Sequence, residues 1–213
     1  MLKARLALAA TLLPLLLAAC SQEGEIMTTG VSAIRSACPA VAIPAGTGDI
    51  TLFDPPTSKD ASAIDVVASM TNVRSTCIDE GENIVTNATF EVQALRRDAA
   101  GDRDVVIPYF GSVVQAGNNV VSKSVGRVAL HFANGEVRSS TTGSATSQVL
   151  RSAANLPDEV RAEVTRERKA GEADAAVDPM ADPKIRTAVQ RASFELLVGF
   201  QLTSDQLAYN ATR

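Results

Sequence analysis

The stretch that decides the fold is Thr86-Asn87-Ala88-Thr89-Phe90-Glu91-Val92-Gln93-Ala94, in which apolar or small residues alternate with polar ones. Successive side chains of a β-strand point to opposite faces of the sheet, so this stretch predicts a strand with one buried face and one solvated face. Asp79-Glu80-Gly81-Glu82-Asn83 precedes it and has the composition of a hairpin turn. The chain before this turn is therefore expected to pair with the strand.

The same period of two extends outward from this strand over most of residues 38–150. The apolar positions of the preceding run are Ile64, Val66, Ala68 and Met70. After Thr71-Asn72 the apolar positions shift by one residue, which predicts a β-bulge or a bend. Downstream, the run from Val105 to Val114 is apolar on both faces, which favours a central strand.

A further alternating run ends at Phe132 and is followed by Asn134-Gly135. This dipeptide is a strong hairpin signal because both residues tolerate positive φ. We expect it to join the strand ending at Phe132 to a Ser/Thr-rich strand over residues 136–150. The polarity of that second strand is typical of a solvated sheet edge.

Residues 155–192 have a different pattern, with short apolar stripes at helical spacing and many charged residues. Leu156, Val160 and Val164 form one narrow stripe, and Asp182-Pro183 has the residues of a helix N-terminus. The run from Phe194 to Leu202 returns to strand alternation. The helices are therefore expected to form an insertion before the last strand, and to be the least stable part of the fold.

These patterns together predict a mainly β protein: an immunoglobulin-like antiparallel β-sandwich of about seven strands, with a helical insertion before the last strand. The expected domain covers residues 38–210, and its insertion covers residues 155–192. A small barrel is the alternative, because closure also removes exposed sheet edges.

The start of the chain resembles the export signal and lipobox of bacterial lipoproteins. A cationic segment precedes an apolar run, and Ala18-Ala19 leads into Cys20. The resemblance implies a signal peptide over residues 1–19, acylation of Cys20 with palmitate among the acyl chains, and a tether over residues 20–37. The apolar run is too short for a stable membrane span, which needs about 20 residues.

The charge of the chain limits the kinds of partner that it can attract. With 24 acidic and 20 basic residues the formal net charge is −4, and loss of Lys3 and Arg5 with the signal peptide makes it −6. A negative surface does not attract nucleic acid, so we expect none as a partner, and membrane contact only through the lipid at Cys20. Ser21 is not the aspartate that retains lipoproteins at the inner membrane, which favours the periplasmic face of the outer membrane.

Two cysteines remain once Cys20 is acylated. Cys38 and Cys77 are an even pair in an oxidising compartment, which favours a disulfide that closes a loop of roughly forty residues. Two buried free thiols are the alternative.

Several segments between Cys38 and Asn210 resemble a protein family. They are Cys38-Pro39-Ala40-Val41-Ala42-Ile43, residues 71–77, Pro108-Tyr109-Phe110, residues 194–203 and residues 206–210. They look like an uncharacterised family of alphaproteobacterial cell-envelope lipoproteins. The resemblance implies an envelope location and the two-cysteine pattern, and it carries no mechanism. The charged segment before Phe194 departs from the family pattern.

The sequence predicts no catalytic residues, no metal ligands and no cofactor. His131 is the single histidine, it alternates onto a polar face, and no Gly-x-Ser-x-Gly turn accompanies it. The acidic turns at residues 79–83 and 98–104 lack the spacing of a calcium loop. The basic residues Arg161, Arg166, Arg168 and Lys169 alternate with acids, so they are interpreted as a solvated helix face.

We therefore expect a protein that is not an enzyme: a lipid-anchored envelope component that binds another envelope protein, with strand addition at the Ser/Thr-rich edge as one route. The alternative is a small-ligand or glycan-binding module, or an unrecognised hydrolase. Convergent titratable groups in a pocket would distinguish that alternative.

Overall fold

The computed structural model describes residues 36–166, 171 and 173–212. The predicted signal peptide, Cys20 and the predicted tether up to residue 35 lie outside the described residues, as do Arg168 and Lys169. Residues 36–166 and 178–212 belong to one compact unit. Residues 171 and 173–177 belong to a separate unit, in which residues 173–176 form a turn.

The described chain has eight strands and four α-helices. The strands are β1 (Ala40–Ala42), β2 (Asp49–Phe53), β3 (Ile64–Glu80), β4 (Asn83–Arg96), β5 (Arg103–Gln115), β6 (Asn119–Phe132), β7 (Arg138–Leu150) and β8 (Phe194–Phe200). The helices are α1 (Arg151–Ala154), α2 (Asp158–Thr165), α3 (Pro183–Arg191) and α4 (Ser204–Thr212). Short 3-10 turns occur at Ala61–Ala63 and Pro179–Ala181.

The strands form two four-stranded sheets, which confirms the predicted mainly β sandwich. One sheet has the order β1-β8-β5-β6, and the other has the order β2-β3-β4-β7. Neighbouring strands are antiparallel, except that β1 runs parallel to β8. The structure has one strand more than the seven expected. The additional strand is β1, whose three residues are too few to show alternation.

The core lies between the two sheets and follows the predicted alternation. Every second residue of β4 from Ile84 to Arg96 is buried. Phe90, Phe132 and Phe200 are the largest side chains there, each at most 2% exposed. A Cβ on Gly143 would lie 2.5 Å from the Phe90 ring, so this close approach of β7 to the core requires glycine.

The predicted irregularity of β3 is confirmed. The register between β3 and β4 shifts between Thr71 and Arg74, and Asn72 has a φ of 50°. Asparagine tolerates this left-handed conformation better than most residues do. Buried side chains alternate up to Met70, beyond which most residues of β3 are exposed.

The helical insertion lies before β8 as predicted, but it begins at α1, directly after β7. Leu156, Ile185 and Ala192 are buried, whereas α2 contributes no buried residue. The Asp182 carboxylate accepts from the Lys184 amide at 2.8 Å, so the predicted cap of α3 is confirmed. The ends of the insertion are docked: Gln115 Nε2 donates to the Arg191 carbonyl at 2.7 Å, and Arg151 pairs with Asp79 at 2.6 Å.

The prediction that Asn134-Gly135 closes a hairpin is wrong. Gly135 has the positive φ, 84°, that the dipeptide favours. However, β6 pairs with β5 and β7 pairs with β4, so the dipeptide turns the chain from one sheet to the other. The Gly135 amide donates to the Ala99 carbonyl, and Asn134 Oδ1 accepts from the Gly101 amide, both at 2.8 Å. The turn is fixed by the β4–β5 connection, which local sequence does not indicate.

Arg96 holds this corner from inside the fold. It is the last residue of β4 and is 2% exposed. Its guanidinium donates to four main-chain carbonyl oxygens at 2.7–2.9 Å, those of Ala99, Gly101, Ala133 and Glu136. Its Cζ also lies 5.3 Å from the centroid of the Phe132 ring, in cation–π geometry. One buried cation therefore ties β4, the β4–β5 turn and the corner between β6 and β7.

Replacing Arg96 with lysine should destabilise the protein by about 2–4 kcal/mol. An ammonium is compact and lacks the planar fork of donors, so it leaves several of the four carbonyls without their partner. Urea denaturation of the Arg96→Lys variant measures the loss. Arg97→Lys is the matched control, because the side chain of Arg97 is exposed, and it should change stability by about 0.5 kcal/mol or less. An equally small loss of stability for Arg96→Lys would contradict the role of Arg96 in holding this corner.

A second link joins the sheets close to this corner. Arg103, the first residue of β5, makes a bidentate pair with Asp65 near the start of β3, with Nη1 2.7 Å from Oδ1. The hydrogen bond from Arg103 holds the pKa of Asp65 below its ordinary value of 3.8, although burial acts in the opposite direction. The Arg103 side chain is 42% exposed, so the contribution of the pair is modest.

The Asp65→Asn variant should lose about 1 kcal/mol or less at neutral pH, and the difference from the wild type should disappear in acid. Because the folded pKa of Asp65 is depressed, its stabilisation is complete above the unfolded value, about 3.9, and is lost as the pH falls through the folded value. Urea denaturation from pH 6 down to about pH 2 follows this difference. Asp104→Asn, at a carboxylate 73% exposed, is the control. A difference that stays constant over this range would contradict the assignment.

Candidate functional site

The sandwich has four edge strands, and they differ in how their unpaired backbone groups are protected. The edges are β1 and β6 in one sheet and β2 and β7 in the other. An exposed edge is a template for pairing with another chain, and proteins usually cover, shorten, charge or distort it.

The edge of β2 is covered by the C-terminal helix α4. The Met70 amide donates to the Gly48 carbonyl, so the next carbonyl, that of Asp49, points away from β3 toward the edge. Asn210 Nδ2 donates to that carbonyl at 2.7 Å, and the Tyr209 ring meets Phe53 edge to face at 5.1 Å. The helix α4 therefore occupies the edge of β2 at Asp49 and Phe53.

The edges β1 and β6 are protected in other ways. β1 is three residues long, which is too short to template a stable strand pair. β6 contains a register shift, because Val113 pairs with Ser122 while Val114 pairs with Val120. β6 also carries the cationic residues Lys123 and Arg127. Bulges and charged side chains are both common protections of natural edge strands.

Among the described residues, the edge of β7 is not short, distorted or covered by a helix, and one side chain, that of Tyr109, bonds to it. The strand is thirteen residues long and contains no proline and no charge after Arg138. Its register against β4 is unbroken from Arg138 to Leu150. β7 is therefore a long, regular and uncharged edge.

The hydrogen bonds at the two ends of β7 show which of its backbone groups face β4 and which face the open side. The Val137 carbonyl accepts from the Arg96 amide, and the Arg151 amide donates to the Glu82 carbonyl. Since the register between them is unbroken, odd-numbered residues face β4 and even-numbered residues face the open side. The open row comprises Ser140, Thr142, Ser144, Thr146 and Gln148.

One side chain from the described part of the chain reaches this open row. The Tyr109 hydroxyl donates to the Ser144 carbonyl at 2.8 Å. The Tyr109 ring meets Phe90 edge to face at 5.0 Å, and a Cβ on Gly126 would lie 2.5 Å from the ring. Gly126 therefore makes the space in β6 that lets Tyr109 reach the edge of β7.

An open cleft of about 640 Å³ lies where the edges of β6 and β7 meet. Its lining residues are Thr89, Tyr109, Arg127, Val128, Ala129, Thr141, Thr142, Gly143 and Ser144. The lining contains one cation, several hydroxyl groups and no carboxylate. An extended segment added beside Thr142 and Ser144 would lie along this cleft.

The lining of the cleft does not include the described cysteines, His131, Arg161 or Arg166. Cys38 and Cys77 form a disulfide with their Cα atoms 6.1 Å apart. His131 Nδ1 lies 2.7 Å from Asp104 Oδ1, and both side chains are largely exposed, as expected for a surface histidine. Arg161 and Arg166 pair with acids of their own helix region, as expected for a solvated face.

The acidic turn at residues 98–104 folds around backbone donors, whereas Asp79 of the other acidic turn pairs with Arg151. Asp98 Oδ1 accepts from the Ala100 amide at 2.9 Å, and Asp102 Oδ1 accepts from the Asn134 amide at 2.7 Å. Within the described ranges, no group of three or more histidine, cysteine or acidic residues is arranged to hold a metal ion. No helix in that part of the chain is long and apolar enough to cross a membrane.

Comparison with known proteins adds no assignment: no family model, curated protein or solved structure matches this chain. A functional interpretation of this chain therefore depends on the geometry of the described residues.

Sequence reasoning identified the solvated edge but not the residues around it. The Ser/Thr-rich pattern of residues 136–150 indicated the exposed strand correctly. The contributions of Tyr109 and Arg127 come from another strand pair, and no local signal connects them with Ser144. The lack of charged residues in β7 after Arg138 was the one signal in the sequence that could have marked this strand as an unprotected edge.

Proposed function

We propose that this protein is a non-catalytic, lipid-anchored component of the cell envelope, and that it binds another envelope protein by strand addition at the edge of β7. The observation that carries the proposal is the unprotected edge: thirteen residues in unbroken register, beside three edges that are covered, short or distorted.

The open row of β7 supplies the binding energy in this proposal. Five even-numbered residues from Ser140 to Gln148 present backbone amides and carbonyls toward the open side. Each hydrogen bond to an added strand would contribute about 0.5–1.5 kcal/mol net. Four of the five carry short hydroxyl side chains, and the Ser144 carbonyl already accepts from Tyr109. Strand addition of this kind gives affinity through the main chain and specificity through alternate side chains.

The distribution of titratable groups supports a binding role over a catalytic one. Asp65 and Arg103 shift each other's pKa, that of Asp65 downward and that of Arg103 upward, and neither lines the cleft beside β7. An enzyme site would bring such groups together in a cleft. The cleft beside β7 is lined instead by hydroxyl groups and Arg127.

The anchor in the proposal is the lipid on Cys20, at the periplasmic face of the outer membrane. The support is the resemblance of the leader to a lipobox, together with the resemblance of residues 38–210 to envelope lipoproteins. Two or more acyl chains bind a bilayer far more strongly than one.

A Cys20→Ala variant should move from the detergent phase to the aqueous phase in phase-partitioning of cell extracts, because the acylation site is absent. Ser21→Ala is the matched control and should stay in the detergent phase. Membrane fractionation of Cys20→Ala equal to that of the wild type would show that lipid on Cys20 is not the anchor.

The strand-addition proposal is tested by a proline at an outward-facing amide. Thr142→Pro removes one open donor of β7 and leaves the hydrogen bonds to β4 in place, so folding should be kept. A photoreactive residue at the exposed position Thr146 should cross-link a partner in cells, and the adduct should disappear in the Thr142→Pro background. Thr142→Ala, which keeps the amide, should retain it.

A proline at the neighbouring position, Thr141, provides the folding control for this experiment. Thr141→Pro removes an amide that faces β4, so it should destabilise the sheet strongly, whereas Thr142→Pro should not. Circular dichroism and urea denaturation check both variants. An adduct that persists in folded Thr142→Pro protein would overturn binding at this edge.

A further inference from the structure

We infer that the segment bound at the edge of β7 is an extended acidic peptide of the partner protein. This inference rests on the proposed function and specifies the chemistry of the partner. It is carried by the cations that flank the open edge and by the cleft into which alternate side chains of an added strand would point.

The geometry places a cation beside the added strand. A strand paired with Thr142 and Ser144 runs along the cleft between β6 and β7, and every second side chain points toward the cleft. Arg127 of β6 lines that cleft. Its guanidinium can bind a carboxylate in the bidentate geometry that arginine favours.

The charge of this region is opposite to that of the whole chain. Residues 119–150 contain three cationic residues, Lys123, Arg127 and Arg138, and one acidic residue, Glu136, which gives a net charge of +2. The complete chain has a net charge of −4. The two edge strands therefore attract anionic segments although the rest of the protein does not.

These cations have no acidic partner within ion-pair distance among the described residues. Arg103, Arg151, Arg161 and Arg166 all have one. Arg127 and Arg138 have none, and Lys123 lies 5.1 Å from the centroid of the Phe110 ring. A bound carboxylate would therefore not have to displace an acid of this chain.

The same charges disfavour a second copy of this chain as the occupant. Pairing the middle of β7 with β7 of another copy would bring two Arg127 side chains to a shared edge. Like charges placed close together across an interface oppose association. An acidic segment of a different protein meets no such repulsion.

Binding of two short labelled peptides to the purified full chain tests the inference. One peptide alternates valine with glutamate, and the other alternates valine with lysine, so that both can form the added strand. Fluorescence anisotropy should give a dissociation constant about tenfold lower for the glutamate peptide, the factor expected from two exposed ion pairs. The preference should weaken as salt is added.

Four variants show which residues produce the preference. Arg127→Glu should abolish the tenfold preference, whereas Arg74→Glu, the same charge change on the interior strand β3, should leave it intact. Thr142→Pro should abolish binding of both peptides, and Thr142→Ala should not. Light scattering of the wild type should show a monomer.

The outcomes separate this inference from the proposed function. Equal binding of both peptides that is lost in Thr142→Pro overturns the acidic preference and leaves strand addition standing. Binding that survives Thr142→Pro overturns both. Absence of binding by either peptide overturns the inference, and a dimer that Thr142→Pro converts to a monomer identifies a second copy as the occupant.

Discussion

The arrangement of the two sheets depends on the hydrogen bonds that the buried guanidinium of Arg96 donates. Its hydrogen-bond partners in the described part of the chain are four main-chain carbonyl oxygens from two turns, with no carboxylate among them. A buried cation is tolerated because these dipoles replace its lost hydration. The arginine fork thereby fixes the corner at which the chain leaves β6 in one sheet and enters β7 in the other.

This corner brings the edges of β6 and β7 together, and their contrast defines the candidate site. β6 carries a bulge and two cations, whereas β7 is regular and uncharged after Arg138. Tyr109 reaches across the gap from one sheet to the other and occupies one carbonyl of the open row. The result is a long sheet edge flanked by positive charge in a protein whose overall charge is negative.

Several features of the site and fold could be read from the sequence because their causes are local. Alternation in β4, the bulge after Thr71 and the cap of α3 depend on neighbouring residues. The partner of β7 could not be read in the same way. A strand next to β6 in its sheet and a strand facing β6 across the core both bury every second residue, so alternation does not distinguish them. The prediction of a hairpin at Asn134-Gly135 was therefore wrong.

The sequence by itself determined the strands, the sandwich class and the polar edge, because side-chain alternation fixes which face of each strand is buried. Only the tertiary structure decided which strands are neighbours, that α4 covers β2, and that Arg127 and Tyr109 lie beside Ser144. These depend on contacts between residues far apart in the chain, such as Arg96 with Ala133. Such contacts are selected by the closure of the whole core, and no short stretch of sequence encodes them.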